Sequence, residues 1–486
     1  MSPARTSCQG IALSTHILAL LIFILIGVLL YGHTLQAPFY LDDFINIRDK
    51  LYLINSLSFS ELINASLESF ARRRPLANLS FALNRYFHGL SLPGYHLVNI
   101  VIHMVNGILL YVFLFKTLTL PGRRHACKHP VWTAAIAGLL WFANPVQIQS
   151  VTYIVQRMTS MATLFFLCSL LSYVYGRPAK KTRTRIALFG LSAMCWIPAM
   201  ASKEIALTLP VLIFVYEWFF FQDLDKEWLK RSAIYVAAGF TVLLAAVYVV
   251  YNYSPLNLVA AISQPRQYTA LERFLTQGRV IFLYISLLIY PHPSRLTLNH
   301  DVGVSHGLLD PLTTLLSFAG LAALLALTIV MAERHRIVAF CIIWFFANLA
   351  IEALAANIEP VFEHRAYLPS MLFFLPFVRI WFEGIKSPKR VFSVAAAFIA
   401  IFGFWTYQRN TLWNDPVAFW QDAVSKAPNH YRSHANLGVS YLDAKQYDRA
   451  MKAFQKALAL TPPYPTEIYT NIGLLHLESG RQGLAR

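Results

Sequence analysis

Long apolar runs recur along most of this chain, and they restrict its fold more than any other feature. We read twelve such runs, the first at residues 11–31 and the last at 391–407. A run of about 20 apolar residues can cross the roughly 30 Å hydrocarbon core of a bilayer. Such a run must be helical, because lipid offers the backbone no hydrogen-bond partner. With 57% hydrophobic and 13% charged residues, the chain is predicted to be an all-α, polytopic membrane helix bundle.

Short basic segments between the runs predict the orientation of the bundle, because short loops rich in Lys and Arg stay in the cytoplasm. They lie at residues 116–128, 177–185, 226–231, 333–336 and 386–390. Residues 32–96 and everything after 407 are then expected on the outer side. The net charge of +17 is spread over one membrane face without a groove-reading motif, so no nucleic-acid partner is expected.

The orientation also limits the number of spans. Twelve spans would return both termini to one side, whereas eleven would separate them. We therefore expect about eleven spans. The weakest candidates are residues 274–290, which form either a re-entrant or an interfacial segment, and the pair of runs around Asn144.

The character of the chain changes after residue 409. The stretch "HANLGVSYLDAKQYDRAMKAFQKALALTPP" matches the tetratricopeptide pattern of two packed helices. The matching positions are Leu437, Gly438, Tyr441, Ala450, Phe454 and Pro462. We expect a membrane domain at 1–409, with its first outer loop at 32–96, and a short tetratricopeptide repeat segment at 410–486. Because so few repeats bury little core alone, this segment is expected to lean on the membrane domain or on a protein partner.

Two adjacent carboxylates, Asp42 and Asp43, follow the first run in "FYLDDFINIRDK". One interpretation is a solvated pair just outside the membrane, where a charge costs little. The other is a catalytic pair, in which one aspartate accepts a proton from a hydroxyl and the other orients the acceptor. The residues alone leave both interpretations open.

Further polar side chains are expected at the same outer level. The cations are Arg74, Arg157, Lys203 and Arg365, and the supporting groups are Glu204, Glu363, His364 and Tyr367. Cations that share one depth suit the binding of a lipid phosphate. The alternative is structural ion pairing, of Lys203 with Glu204 and of Arg365 with Glu363.

An ordered set of motifs resembles one family over nearly the whole chain. The motifs are "RRRPLANLSFALNRYFHG", "FANPVQIQSVTYIVQRMTSM", "MASKEIALTLPVLI" and "EHRAYLPSM", followed by tetratricopeptide repeats. This set resembles the transmembrane and tetratricopeptide repeat-containing O-mannosyltransferases and their bacterial relatives, which belong to the GT-C class of glycosyltransferases. The resemblance implies about eleven membrane helices, a polyprenyl- or dolichyl-phosphate sugar donor and inverting transfer to a protein hydroxyl.

The resemblance also implies roles for individual residues. Asp42 and Asp43 match the acidic pair of the family, and Asp42 is favoured as the base. The other matching residues are Arg74 with Pro75, Arg157, Lys203 with Glu204, and Arg365 with Tyr367. The chain departs from the family pattern at Asn144, where a histidine is common, and at the following "QIQ", where the family has Thr-Glu.

The predicted activity is therefore transfer of a sugar from a lipid-phosphate donor to a hydroxyl, and two alternative functions stay open. Arg74, Arg157, Lys203 and Arg365 would stabilise the leaving phosphate. A divalent metal is compatible with this chemistry but not required, because cationic side chains can fill its electrostatic role. The alternatives are a non-catalytic scaffold for envelope assembly and a lipid-linked glycan ligase or polymerase. The expected location is a bacterial inner membrane rather than the endoplasmic reticulum, with the site and the repeats on the non-cytoplasmic side.

Overall fold

Helices make up every regular element in the part of the chain that the structure, a computed structural model, describes. The described residues are 13–120, 127–251, 269–354, 359–462 and 465–480. Three groups of residues lie outside these ranges: residues 11 and 12 of the first apolar run, Arg123 and Arg124 of the first basic segment, and residues 481–486. The predicted all-α class is confirmed.

Fifteen α-helices precede the repeat segment within the described residues. They are α1 (Leu13–Tyr31), α2 (Phe59–Glu68), α3 (Pro75–His88), α4 (Leu92–Leu118), α5 (Pro130–Phe142), α6 (Ile148–Val151), α7 (Arg157–Gly176), α8 (Thr182–Ser202), α9 (Leu209–Tyr216), α10 (Lys226–Tyr251), α11 (Ala270–Ile289), α12 (Leu312–Met331), α13 (Arg336–Leu354), α14 (Leu375–Gly384) and α15 (Pro388–Leu412). The prediction of a polytopic helix bundle is confirmed.

The expected number of about eleven membrane spans stays a prediction. Within the described ranges, eight helical segments are long and apolar enough to cross a bilayer. A ninth forms if Pro130–Phe142 and Pro145–Val151, which meet at a bend of 56°, count as one broken span.

Helix α11, which covers one of the weakest predicted spans, contacts one end of the bundle. Near its start, Arg273 donates from Nη2 to the carbonyl of Glu352, at 3.2 Å. Near its end, the carbonyl of Leu288 accepts a hydrogen bond from Asn144 Nδ2, at 3.1 Å. Asn144 and Glu352 both belong to the end of the bundle that carries Asp42, which we call the site end. Both ends of α11 therefore contact the site end, and the re-entrant or interfacial placement of this segment stays a prediction.

The connections at the site end are short helical turns rather than long α-helices. They cover Pro145–Gln147, Ile154–Gln156, Glu204–Thr208, Glu363–Ala366 and Pro369–Leu372. Irregular backbone at membrane depth is tolerated only where it is buried in protein or lines a cavity. These turns are largely buried. They carry Glu204, Glu363, His364 and Arg365 of the predicted site, and Arg157, Lys203 and Tyr367 directly flank them.

The repeat segment contains α16 (Pro416–Lys426), α17 (Tyr431–Asp443), α18 (Tyr447–Ala459) and α19 (Thr466–Glu478). Gly438 lets α17 and α18 approach closely, because a Cβ atom there would lie 2.5 Å from the ring of Phe454. The segment packs on the site end of the bundle. Lys426 Nζ donates to the carbonyls of Pro293, at 2.7 Å, and Leu296, at 2.9 Å.

Candidate active site

The two adjacent aspartates point in different directions. Asp43 is fully buried, and its carboxylate accepts hydrogen bonds from the backbone N–H groups of Tyr40, at 3.0 Å, and Val155, at 2.6 Å. Asp42 is exposed. Leu41, immediately before the pair, has a φ of 39°, a left-handed conformation that is uncommon for a branched residue and marks a constrained turn. Asp43 thus anchors the turn, and Asp42 projects from it.

The surroundings of Asp42 act on its carboxyl in opposite directions. Although the Asp42 side chain reaches solvent, the protein atoms packed around its carboxyl raise the pKa of Asp42 above its usual value, and the cations Arg432 and Arg74 limit this rise. The backbone N–H of Asp42 donates to Tyr153 Oη, at 2.9 Å. A carboxylate of raised pKa is a stronger base than an ordinary surface aspartate.

Arg74 lies on the same side of the site and pairs with Glu204. Its Nη2 atom is 3.2 Å from Glu204 Oε2, and about a third of each side chain is exposed. Its Nη1 atom contacts Met158 Sδ at 3.1 Å. Arg74 therefore combines a defined orientation with access to solvent.

Lys203 pairs with Glu352, and not with the adjacent Glu204 as the structural alternative expected. The Lys203 Nζ atom lies 2.7 Å from Glu352 Oε1, and the side chain is only 5% exposed. The same Nζ atom donates to Thr159 Oγ1, at 2.9 Å. Since an extended strand-like backbone at Lys203 separates two helices, neighbouring side chains there diverge.

Arg157 is fully buried and donates to neutral oxygens. Its Nε atom donates to Asn99 Oδ1, at 2.7 Å, and its Nη1 and Nη2 atoms donate to the carbonyls of Ser80, at 3.2 Å, and Tyr95, at 3.0 Å. The ring of Phe81 stacks under the guanidinium, with its centroid 4.7 Å away. These contacts join α3, α4 and α7. The phosphate-binding role expected of Arg157 stays a prediction, but its geometry is that of a positioning residue.

The segment from Glu363 to Tyr367 is buried, and its side chains contact different parts of the protein. Glu363 Oε1 accepts from the backbone N–H of Thr297, at 2.8 Å, and lies 3.0 Å from His300 Nε2. Tyr367 Oη is 2.8 Å from His103 Nδ1, deep in the bundle. The expected alternative pair of Arg365 with Glu363 is therefore replaced by a Glu363–His300 pair.

Arg365 and His364 lie within electrostatic reach of Lys203. Arg365 Nη1 donates to the carbonyl of Pro360, at 3.0 Å. Burial and the nearby cations Lys203, Arg365 and Arg74 lower the pKa of His364 well below its usual value. A neutral imidazole contributes no positive charge toward a phosphate. Among the described residues, no group of three or more His, Cys, Asp and Glu side chains is arranged to hold a metal ion.

Comparison with known proteins supports the resemblance seen in the motifs. A Tetratricopeptide repeat family model matches residues 431–464. The chain is 26% identical to Protein O-mannosyl-transferase Tmtc3 of Drosophila melanogaster, in an alignment that covers 89% of this chain and 54% of the relative. It is 24% identical to Protein O-mannosyl-transferase F38B6.6 of Caenorhabditis elegans, over 92% of this chain and 63% of the relative. The chain is a relative of the TMTC O-mannosyl-transferases.

The TMTC likeness is strongest over part of the chain. Identity to Protein O-mannosyl-transferase tmtc2 of Xenopus laevis is 35%, over 42% of this chain and 24% of that protein. The chain spans about half the length of the Drosophila relative. No solved structure matches the chain. The TMTC likeness and the apolar helices together make the chain a multi-pass membrane protein with a tetratricopeptide repeat.

One site residue was missed by the sequence interpretation. Arg432, in the first turn of α17, lies at the site end, and its Nη1 atom is 2.9 Å from Glu359 Oε1. The tetratricopeptide pattern specifies only the apolar and small positions of a repeat. A charged residue at the start of the first repeat helix is therefore interpreted as an ordinary surface group. No local signal in this sequence points to Arg432, because its neighbours in space are distant in the chain.

Proposed function

We propose that this chain is a membrane glycosyltransferase that transfers a sugar from a polyprenyl-phosphate or dolichyl-phosphate donor to the hydroxyl of a protein Ser or Thr side chain. Residues 1–409 would form the catalytic membrane domain and 410–486 the repeat segment. The names of the TMTC relatives support the class of reaction. The observation that carries the proposal is the exposed Asp42 carboxylate, whose raised pKa is partly lowered by the charge of Arg74, a side chain that is itself about a third exposed.

The proposed reaction is an inverting displacement. Asp42 accepts the proton of the acceptor hydroxyl while the oxygen attacks the anomeric carbon. The bond between this carbon and the phosphate oxygen breaks on the opposite face, and the leaving lipid phosphate keeps the electron pair. Arg74 stabilises the negative charge that develops on this phosphate.

The buried residues support this geometry rather than contact the sugar. Asp43 holds the turn that presents Asp42, through its bonds to the backbone of Tyr40 and Val155. Arg157 fixes the starts of α4 and α7. Because a misplacement of about 1 Å can reduce turnover by about 10²-fold, these residues are expected to affect the reaction without touching the donor.

We further propose that the site end faces the outside of a bacterial inner membrane. Arg157 lies at the site end of α7, and the basic segment 177–185 follows the opposite end of the same helix. Short basic segments favour the cytoplasm, and this supports an outer location for the site end and the repeat segment. A protein acceptor or partner would then reach the site through the repeat segment.

The test of the proposed function compares two aspartates of the same outer segment, Asp42 and Asp49. Purified chain in proteoliposomes is supplied with a polyprenyl-phosphate sugar and a Ser/Thr peptide, and transfer is measured by mass spectrometry of the peptide. Asp42→Asn keeps the size of the side chain but removes its basicity, so turnover should fall by about 10²- to 10⁴-fold at saturating donor. The control is Asp49→Asn, which removes an exposed carboxylate paired with Arg48 at 2.7 Å. Equal turnover of the two variants would contradict the assignment of Asp42.

A further inference from the structure

The cations of the site end differ in whether a ligand can reach them. Arg157 and Arg365 are buried, and the Lys203 side chain is only 5% exposed. By contrast, the Arg74 side chain is 31% exposed and the Arg432 side chain is 42% exposed. A phosphate group that arrives from the membrane surface meets the exposed cations first. Arg432 therefore requires an explanation, since it belongs to the repeat segment and not to the membrane domain.

Contacts on both sides of Arg432 hold it against the membrane domain. The next residue, Ser433, is fully buried, and its Oγ accepts a hydrogen bond from Asn299 Nδ2, at 3.1 Å. Arg432 Nη1 lies 2.9 Å from Glu359 Oε1. Arg432 Nε donates to Tyr431 Oη, at 3.2 Å. The guanidinium is thus oriented by the start of α17 while much of it remains accessible.

The charges of Arg432 and Asp42 affect each other's pKa. Among the cations that act on the Asp42 carboxyl, Arg432 is the strongest and Arg74 the next. In the opposite direction, burial lowers the pKa of Arg432, but Glu359, Tyr431 and Asp42 together raise it above its usual value. Arg432 therefore stays charged beside the proposed base.

We propose that Arg432 binds the phosphate of the lipid donor together with Arg74, so that the repeat segment supplies part of the active site. This inference rests on the proposed function, because it takes its ligand from the proposed donor. Two arginines from separate parts of the chain can each form charge-assisted hydrogen bonds with phosphate oxygens. A donor bound between them would lie next to Asp42. A repeat segment that is displaced from the membrane domain would then leave the donor site incomplete.

The test measures binding of decaprenyl phosphate, which carries no sugar, to the full-length chain in nanodiscs. Arg432→Met keeps the apolar stem of the side chain but removes its charge, and it should weaken binding by about 10- to 100-fold. Arg432→Lys should recover part of the affinity, since lysine keeps the charge without the forked geometry. The matched control is Arg449→Met, on α18 of the same repeat, where the arginine donates to Gln446 Oε1 at 2.9 Å. This control should bind like the wild type.

A second variant separates phosphate binding from docking of the repeat segment. Glu359→Gln removes the ion pair that links α17 to the membrane domain but leaves Arg432 in place. If Arg432 binds the phosphate, Glu359→Gln should retain wild-type affinity or exceed it. A loss equal to that of Arg432→Met would show that the pair serves docking alone and would overturn the inference. Wild-type affinity in Arg432→Met would overturn it as well.

The pH dependence of transfer gives a readout that a purely structural role would not change. The groups that face Asp42 are Arg432 from α17, Arg74 before α3, Tyr153 before α7 and the adjacent Asp43. Loss of the Arg432 charge should raise the pKa of Asp42, so the acid limb of kcat/KM should move to higher pH. An acid limb at the wild-type position in an active Arg432→Met protein would contradict the inference. If the wild type binds decaprenyl phosphate through Arg432 but transfers no sugar, the proposed function fails and the phosphate site stands.

Discussion

Lys203 and Glu352 form a buried ion pair between the start of one helical turn and the last turn of α13, with Nζ and Oε1 2.7 Å apart. Removing one partner of such a pair leaves an uncompensated buried charge, which costs about 3–5 kcal/mol. We expect Lys203→Met and Glu352→Gln each to lower the thermal stability of the purified protein. The double variant Lys203→Met/Glu352→Met should recover part of the loss. If Lys203→Met is as stable as the wild type but needs more donor for half-maximal transfer, Lys203 is a phosphate ligand instead.

The Asp43→Asn substitution should lower the stability of the folded protein more than Asp42→Asn does. The asparagine NH2 group would face a backbone N–H, either that of Tyr40 or that of Val155, where Asp43 now accepts two hydrogen bonds. Leaving a buried donor unsatisfied costs about 1–3 kcal/mol. We expect a lower melting temperature for Asp43→Asn and little change for Asp42→Asn, measured in the same detergent. Equal melting temperatures would show that the Asp43 carboxylate does not hold the turn.

Transfer should depend on pH through the carboxyl of Asp42. Burial raises its pKa, and Arg432 and Arg74 only partly oppose the rise. Because the proposed base acts when deprotonated, kcat/KM should fall as the pH drops through a value above the ordinary aspartate pKa of about 4. The folded chain also holds this proton more tightly than the unfolded chain, so the associated stability is present at low pH and is lost as the pH rises through the raised pKa. A pH profile of Asp42→Asn that keeps the same acid limb would assign the limb to another group.

Gly438 should be required for the close packing of the repeat helices. A Cβ atom at this position would lie 2.5 Å from the Phe454 ring, and overpacking of this kind costs about 1–3 kcal/mol. We expect Gly438→Ala to increase amide hydrogen exchange in α17 and α18. The double variant Gly438→Ala/Phe454→Leu, which removes the ring, should restore part of the protection. Unchanged exchange in Gly438→Ala would mean that the helices separate without penalty.

The repeat segment is predicted to lie outside the cytoplasm. The basic segment 386–390 precedes α15, which can cross the membrane once before the repeats begin. A reporter that is active only outside the cytoplasm should therefore be active when it is fused after Arg486. As a control, the same reporter inserted at the basic segment 177–185 should be inactive. Activity of a cytoplasm-only reporter after Arg486 would reverse the orientation.

Local patterns in the sequence were sufficient for the helices and for the family likeness. A membrane helix depends on the apolarity of about 20 consecutive residues, and a tetratricopeptide hairpin depends on small and aromatic positions such as Gly438 and Phe454 at a fixed period. Both are properties of neighbouring residues, so they can be read without the tertiary structure. The same holds for the acidic pair as a candidate, since Asp42 and Asp43 stand together in an ordered series of motifs.

Only the tertiary structure decided which partner each charged group takes. Lys203 stands beside Glu204 in the sequence but pairs with Glu352, and Arg74 pairs with Glu204 across 130 positions. The energy of an ion pair depends on the separation of the charges in space and on their burial, and neither quantity follows from sequence spacing. For the same reason, the exposure of Asp42, the burial of Asp43 and the arrival of Arg432 from the repeat segment emerge only when the helices are packed together.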